Sequence, residues 1–192
     1  MPASIELLWA FIGLLLTIGG TFLPASVTTP IWFSDSGGLQ AYSLGVTYQI
    51  GAVLLVGCMG GKNAAALSQI AYLALGLTLW PVFSQGGGIG YLKEPSFGYL
   101  LGFVPGAWVC GWLAFKVASR LESMAFSCLC GLLAIHAIGL IYLIFTHFIP
   151  PARTTPLFEE ILKYSVYPLP GQLAVVCAIA VLSFVLRRLM FY

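Results

Sequence analysis

Six long apolar segments constrain the fold of this chain more than any other feature. Separated by stretches rich in Pro, Gly, Ser and charge, they span about residues 5–23, 40–58, 63–82, 97–118, 124–148 and 169–190. A membrane-spanning helix needs about 20 mostly apolar residues, so each segment can cross a bilayer once. The segments are apolar all round, whereas the strands of a spanning β-barrel alternate. The sequence therefore predicts an all-α, integral membrane bundle of six transmembrane helices that forms a single domain over residues 1–192.

Composition agrees with a lipid environment and excludes several classes of function. The chain is 60% hydrophobic and 7% charged, whereas a soluble domain carries about 25% charged residues. A net charge of +2 is too small to predict a nucleic-acid partner. The five cysteines follow no zinc-binding spacing, so we expect them to pack as small apolar side chains and predict no metal site. They are Cys58, Cys110, Cys128, Cys130 and Cys177.

The basic residues predict which way the bundle is oriented. With the N-terminus inside the cell, five basic residues fall on the cytoplasmic side and three fall outside. Those inside are Lys62, Lys116, Arg120, Arg187 and Arg188, and those outside are Lys93, Arg153 and Lys163. The first segment has Glu6 and no basic residue before it, which favours a retained helix over a signal peptide. We therefore predict a multi-pass protein of the cell membrane with both termini in the cytoplasm and the long loops 24–39, 83–96 and 149–168 outside.

Uncharged hydrogen-bonding side chains are the candidate binding groups within the helices. Asp, Glu, Lys and Arg are missing from the middle of every segment, which argues against an autonomous ion-driven transporter. The uncharged hydrogen-bonding residues that remain are Gln49, Gln69, Tyr72, His136, Tyr142 and Gln172. A Gln amide offers both a donor and an acceptor. Such a group suits a ligand that contains an amide or a urea, and hydrogen bonding between helices is the alternative. The chain shows no nucleophile–base pair and no metal motif, so we predict that it is not an enzyme.

A glycine-rich loop follows the third segment and is the candidate ligand lid. Consecutive glycines at 86–88 let a backbone approach a ligand closely, although a plain flexible connection is the alternative. Aromatic side chains would supply an apolar wall and Lys93 would supply one positive charge. The predicted binding residues of this region are Trp80, Phe83, Gln85, Gly86, Gly87, Tyr91, Lys93 and Tyr99.

Helix 1 carries a small-residue face. Gly13 and Thr17 are four residues apart, a spacing that suits close helix contact. The face could dock a partner subunit, or it could pack inside the bundle.

Three stretches resemble the BioY family of biotin-uptake membrane proteins. They are VTYQIGAVLLVG at 46–57, LALGLTLWPVFSQGGGIG at 73–90 and EPSFGYLLGF at 94–103, and PLPGQ at 168–172 adds to them. The resemblance implies a six-helix bundle that binds biotin under its external loops and has no resident cofactor. For the members that use them, often as the S component of an energy-coupling-factor transporter, it also implies two cytoplasmic ATPases and a coupling membrane subunit as partners. The chain itself has no nucleotide-binding motif, so any ATP must be hydrolysed elsewhere.

One motif departs from the pattern that the resemblance implies. The last helix of the family usually reads Pro-Gly-Asp-x-x-Lys, whereas Gln172 and Val175 stand in the two charged positions here. Gln172 can still pair with a ureido ring, and Lys93 is our candidate for the ligand carboxylate, ahead of Arg153 and Lys163. Three hypotheses follow: a biotin-binding subunit, the same fold with another small vitamin or precursor, and a membrane scaffold that binds no ligand.

Overall fold

The computed structural model describes residues 2–28, 41–78, 80–148 and 156–190. The described chain is mostly helical, as predicted, and five of its helical stretches are long and apolar enough to cross a membrane. The elements in chain order are α1 (Ala3–Phe22), β1 (Pro24–Thr28), β2 (Ala41–Thr47), α2 (Gln49–Thr78), a 3₁₀ helix (Ile89–Lys93), α3 (Phe97–Lys116), α4 (Leu121–His147), α5 (Leu157–Ile161), a π-helical segment (Leu162–Val166) and α6 (Leu169–Met190).

Helix α2 folds back on itself at Gly61. The φ of this glycine is 78° and its ψ is 177°, a conformation that only glycine adopts without strain. The side-chain amide of Gln49 donates a hydrogen bond of 2.9 Å to the Tyr72 hydroxyl, yet in a straight helix these residues would lie about 34 Å apart. The limbs 49–60 and 62–78 are therefore antiparallel neighbours, and a single residue makes the turn that the sequence predicts as loop 59–62.

The prediction that the second helix starts at residue 40 is wrong. Residues 41–47 form β2, which pairs antiparallel with β1 and places Ser26 opposite Ser43. Gly45 has a φ of 68°, which a helix cannot accommodate, and the β-branched Val46 and Thr47 favour extended backbone. Thus part of the predicted loop 24–39 is a strand, while residues 29–40 lie outside the described residues.

Other helix boundaries differ from the prediction by a few residues. The second limb of α2 ends at Thr78, before the non-helical residues 80–82, whereas the sequence predicts a helix to residue 82. α4 begins at Leu121, three residues before the predicted start at 124. A helical stretch at 157–166 precedes α6 where the sequence predicts a loop.

The bundle has two chemically different ends. We call one the basic end, because it holds Lys62, Lys116 and Arg120. Asn63 donates to the carboxylate of Glu6 near the start of α1, and the last turn of α6 also lies there, where Arg187 donates to the Ala114 carbonyl. The opposite end, which we call the loop end, carries the two-stranded sheet, the 3₁₀ helix and α5. The first and last helices thus place both chain termini at the basic end.

Gly13 and Thr17 pack inside the bundle. A β-carbon at Gly13 would lie 2.8 Å from the Val56 side chain, so the missing side chain lets α1 approach α2 closely. Thr17 is fully buried, and its hydroxyl accepts a hydrogen bond of 3.1 Å from Gln69. This burial contradicts the docking-surface alternative for the two residues and agrees with the packing alternative.

Candidate functional site

A chain of aromatic rings runs beneath the loop end. Ring centroids are 5.3 Å apart for Tyr72 and Phe83, 4.8 Å for Phe83 and Tyr91, 6.3 Å for Tyr91 and Phe97, and 5.8 Å for Phe97 and Tyr142. Edge-on and tilted pairs at these separations are mutually stabilising. The first four rings are buried. The rings therefore form one continuous group, here called the aromatic cluster, which joins α2, the 80–96 loop, α3 and α4.

The Tyr72 hydroxyl connects the helices to the loop above them. It accepts from Gln49 at 2.9 Å, donates to the Val82 carbonyl at 3.1 Å and lies 3.2 Å from the Thr21 hydroxyl. One buried phenol thus joins α1, both limbs of α2 and the start of the 80–96 loop. A buried phenol without such partners would be costly, so these bonds fix where the loop begins.

The 80–96 loop lies folded against the bundle. The Gly88 amide donates to the Gly76 carbonyl at 2.8 Å, and the Tyr142 hydroxyl donates to the Leu92 carbonyl. Gly86 and Gly88 have φ values of 107° and 88°, which explains why glycines occur at these positions. The loop therefore has a defined path across the loop end, held to α2 on one side and to α4 on the other.

The predicted site residues of this loop fall into two groups. Phe83 and Tyr91 are buried in the aromatic cluster, whereas Trp80 is 67% exposed and lies on the surface. Gln85 and Gly87 are exposed as well, as is Lys93 at the end of the 3₁₀ helix. An outward Trp80 fits an aromatic anchor at the membrane interface better than a ligand wall.

Tyr99 belongs to a second polar and aromatic group. Its ring lies 5.7 Å from the His136 ring and 6.3 Å from the Tyr164 ring, and its hydroxyl hydrogen-bonds the Ser165 hydroxyl. Tyr164 and Ser165 belong to the π-helical segment, and such segments are frequent at functional sites. The sequence prediction placed a loop here, because apolar periodicity carries no signal for a π-helical turn.

Gln172 is the other candidate that the structure places at the loop end. It is 7% exposed, and its carbonyl oxygen has no hydrogen-bond partner within the described part of the chain. Gly171 lies against the Leu44 backbone of β2, and Val175 packs on Gly51 of the first α2 limb. The first turns of α6 are thus held between β2 and α2, and they bury an amide oxygen that is expensive to leave unpaired.

Two open concavities of the described chain lie elsewhere. A groove of about 1350 Å³ is lined by residues 114–122 and the last turns of α6, and a smaller one of about 410 Å³ lies beside the Gly61 turn. Both grooves are at the basic end and neither contains a predicted ligand residue. The loop end is covered by the 80–96 loop, which agrees with a site that ligands reach when that loop moves.

These features define a class of protein. A bundle of long apolar helices that carries a covered polar and aromatic site at one end is a multi-pass membrane protein built to hold a small molecule. The BioY family model matches residues 6–191, so the chain belongs to the BioY family, as its sequence motifs indicate.

Individual relatives agree with the family assignment. A probable biotin transporter BioY of Lysinibacillus sphaericus is 41% identical over 98 residues, which is 50% of each chain. The biotin transporter BioY of Rhodobacter capsulatus is 34% identical over 73% of this chain and 69% of its own. A solved structure, the S-component for biotin from an ECF-type ABC transporter, superposes with a TM-score of 0.69 at 23% identity over 95% of this chain and 90% of that one. This structural similarity shows that the two proteins share a fold.

Proposed function

We propose that this protein is the membrane substrate-binding subunit of a biotin uptake system and is not an enzyme. Membership of the BioY family and relatives named as biotin transporters support this function. The observation that carries the binding site is the buried carbonyl oxygen of Gln172 at the loop end, which has no hydrogen-bond partner among the residues that the structure describes. Biotin contains a ureido ring whose N–H groups can satisfy such an oxygen.

Two glutamines share the recognition of the ureido ring in this proposal. The Gln49 side chain is half-buried and already uses its N–H₂ group on Tyr72, so its oxygen is the atom that faces a ligand donor. Gln172 presents its oxygen from α6. The pair thus offers two acceptors to the two N–H groups of the ring, and neutral acceptors give weaker bonds than a carboxylate would.

Lys93 takes the ligand carboxylate in this proposal. Val175 stands where the family motif carries a Lys, and its buried side chain cannot hold an anion. Lys93→Ala should therefore weaken the binding of biotin more than the binding of a biotin amide, which lacks the carboxylate. Lys116→Ala is the matched control, since Lys116 lies at the basic end with its ammonium 4.5 Å from the centre of the Trp112 ring. Equal losses for the two ligands would remove Lys93 from this role.

The 80–96 loop acts as the lid of the site. Its bonds to Gly76 and Tyr142 close it over the aromatic cluster, and its positive-φ glycines are positions where the backbone can swing. When the loop moves, four of its residues contact the ligand or line its entry path in this proposal. They are Trp80, Gln85, Gly86 and Gly87.

The orientation and partners complete the proposal. Both limbs of α2 cross the membrane, which gives six passes in one domain, and the basic end faces the cytoplasm as the positive-inside rule requires. The protein lies in the cell membrane. In this proposal, ATP hydrolysis comes from two cytoplasmic ATPases that act through a coupling membrane subunit, as the family resemblance implies.

Calorimetric titration of the purified protein in detergent with biotin tests the function. A dissociation constant at or below the nanomolar range, about −12 kcal/mol, supports biotin as the ligand, and Gln172→Ala should then weaken it by at least tenfold. No heat at high micromolar biotin would contradict the proposal.

The replaced charges at Gln172 and Val175 favour one further candidate, a different small vitamin or precursor. A thermal-shift panel of vitamins and their precursors separates the two candidates. Stabilisation by another compound would identify that ligand, whereas stabilisation by none would favour the ligand-free scaffold.

A further inference from the structure

Three cysteine thiols meet in the core near the basic end. Cys58 of the first α2 limb lies 3.7 Å from Cys110 of α3 and 3.5 Å from Cys128 of α4, sulfur to sulfur. All three sulfurs lie within 4.8 Å of one another, and all three side chains are fully buried. We call this group the thiol cluster. A search for zinc-binding spacing could not find it, because each ligand comes from a different helix.

The spacing of the thiol cluster matches a metal–thiolate centre. Metal–sulfur bonds are about 2.3 Å long, so three sulfurs around one ion lie about 4 Å apart in a trigonal plane. The observed separations of 3.5 and 3.7 Å are within a few tenths of an ångström of this value. Each helix supplies its thiol from a rigid segment, so little rearrangement is needed to bind an ion.

A buried cation lies beside the cluster. Arg187, which the sequence analysis assigns to the cytoplasmic side, is only 8% exposed, and it donates to the Ala114 carbonyl at 2.7 Å. Its guanidinium also stacks over Phe115 at 4.0 Å and lies 3.8 Å from the Met124 sulfur. Of the carboxylates that the structure describes, none forms an ion pair with Arg187. A buried charge without a counter-charge is unfavourable, and a negatively charged metal–thiolate centre would supply one.

The surroundings select a soft ion. Met124, buried and one helical turn before Cys128, packs in the same apolar core, and the thiol cluster contains no nitrogen or carboxylate ligand among the described residues. Thiolate and thioether ligands favour Cu(I), whereas Zn²⁺ normally takes a fourth ligand in a tetrahedral site. Cu(I) with two thiolates and one thiol carries a charge of −1, which the single positive charge of Arg187 balances.

We propose that Cys58, Cys110 and Cys128 form an all-sulfur binding site for one Cu(I) ion. Binding releases two thiol protons to solvent and leaves the oxidation states of copper and sulfur unchanged. The ion ties α2, α3 and α4 together at the end of the bundle opposite the biotin site, and this second site is independent of what the loop end binds.

The test is a Cu(I) titration of the protein in detergent, without oxygen, against the chromogenic Cu(I) chelator bicinchoninate. We expect one ion per chain, and X-ray absorption should show three sulfur neighbours. Cys58→Ser removes one of the three metal ligands and should weaken Cu(I) binding on the order of 100-fold. The loss of a group that only supports a ligand already costs about 10- to 100-fold. The matched control is Cys130→Ser with Cys177→Ser, two cysteines outside the cluster, which should leave the affinity unchanged.

Several results would overturn the site. They are the absence of stoichiometric binding, nitrogen or oxygen in the first shell, tighter binding of Zn²⁺ than of Cu(I), and a Cys58→Ser variant that binds as the wild type does. If Cys58→Ser fails to fold, alkylation of the wild-type thiols with and without Cu(I) tests the site instead. Bound Cu(I) should then protect the cluster thiols of the detergent-opened protein from the reagent, whereas equal labelling with and without Cu(I) would refute the proposal.

Discussion

A methyl group at Gly76 should loosen the 80–96 loop. Gly76 lies in the second α2 limb directly under Phe83, and a β-carbon there would overlap the Phe83 ring. The helix backbone is held by its own hydrogen bonds, so the ring must move instead. Phe83 is buried between Tyr72 and Tyr91, and its displacement would detach the loop from the aromatic cluster.

The size of the effect follows from the two ring contacts of Phe83. Losing its contacts with Tyr72 and Tyr91 costs about 0.5–1.5 kcal/mol for each pair. The higher helix propensity of alanine stabilises α2 equally whether the loop is closed or open, so it cancels in the closure equilibrium. Closure of the loop should therefore weaken by about 1–3 kcal/mol. If closure is coupled to binding, the affinity for biotin falls about 5- to 150-fold.

Calorimetric titration with biotin measures this change in Gly76→Ala. Gly19→Ala is the matched control, because no atom lies within 4 Å of the added carbon in that helix, and its affinity should equal that of the wild type. In a Phe83→Ala background the clash is gone, so Gly76→Ala should then have no effect. An unchanged affinity in Gly76→Ala, or the same loss with and without Phe83, would refute the lid.

Two further predictions concern stability, measured by thermal unfolding in detergent. Val175→Lys restores the positive charge of the family motif but buries it against Gly51, so it should lower the free energy of unfolding by about 3–5 kcal/mol. Adding Gln172→Asp should recover part of this loss. Independent effects of the two changes would contradict a shared site. Gly61→Ala forces a side chain into a positive-φ conformation that is essentially restricted to glycine and should cost about 1–3 kcal/mol. A melting temperature that does not fall would mean that the turn tolerates a side chain. The control Gly19→Ala lies inside α1 and should not lower the melting temperature.

Apolar length predicts the helices of this protein well, because lipid demands long uninterrupted apolar runs. It does not predict where the chain turns or leaves the helix. The stretch 41–47 is as apolar as a helix, yet Gly45 and the partner strand β1 make it extended. Likewise, Gly61 reduces the predicted loop 59–62 to one residue, which shows only when Gln49 and Tyr72 are seen to meet.

The candidate site was predictable in part for a similar reason. Glycine and aromatic residues mark the 80–96 loop in the sequence, and two of its aromatic residues, Phe83 and Tyr91, do lie in the aromatic cluster. Tyr142 was not predicted as part of the site, since its bond to Leu92 joins residues 50 positions apart. Trp80 was predicted as part of the wall, since composition cannot tell an interface anchor from a ligand contact.

Gln172 and Val175 replace both charged residues of the family motif, and this double replacement bears on whether the site still binds a ligand. Removing only one member of a buried ion pair leaves an uncompensated charge that costs about 3–5 kcal/mol, so the losses at Gln172 and Val175 are expected to occur together. Val175 packs as an ordinary core residue against Gly51. Gln172 does not, since its oxygen is buried without a partner in the described structure, and a leucine would fill the same place without that penalty. In the proposed complex, a ligand N–H group gives this oxygen its partner and removes that penalty.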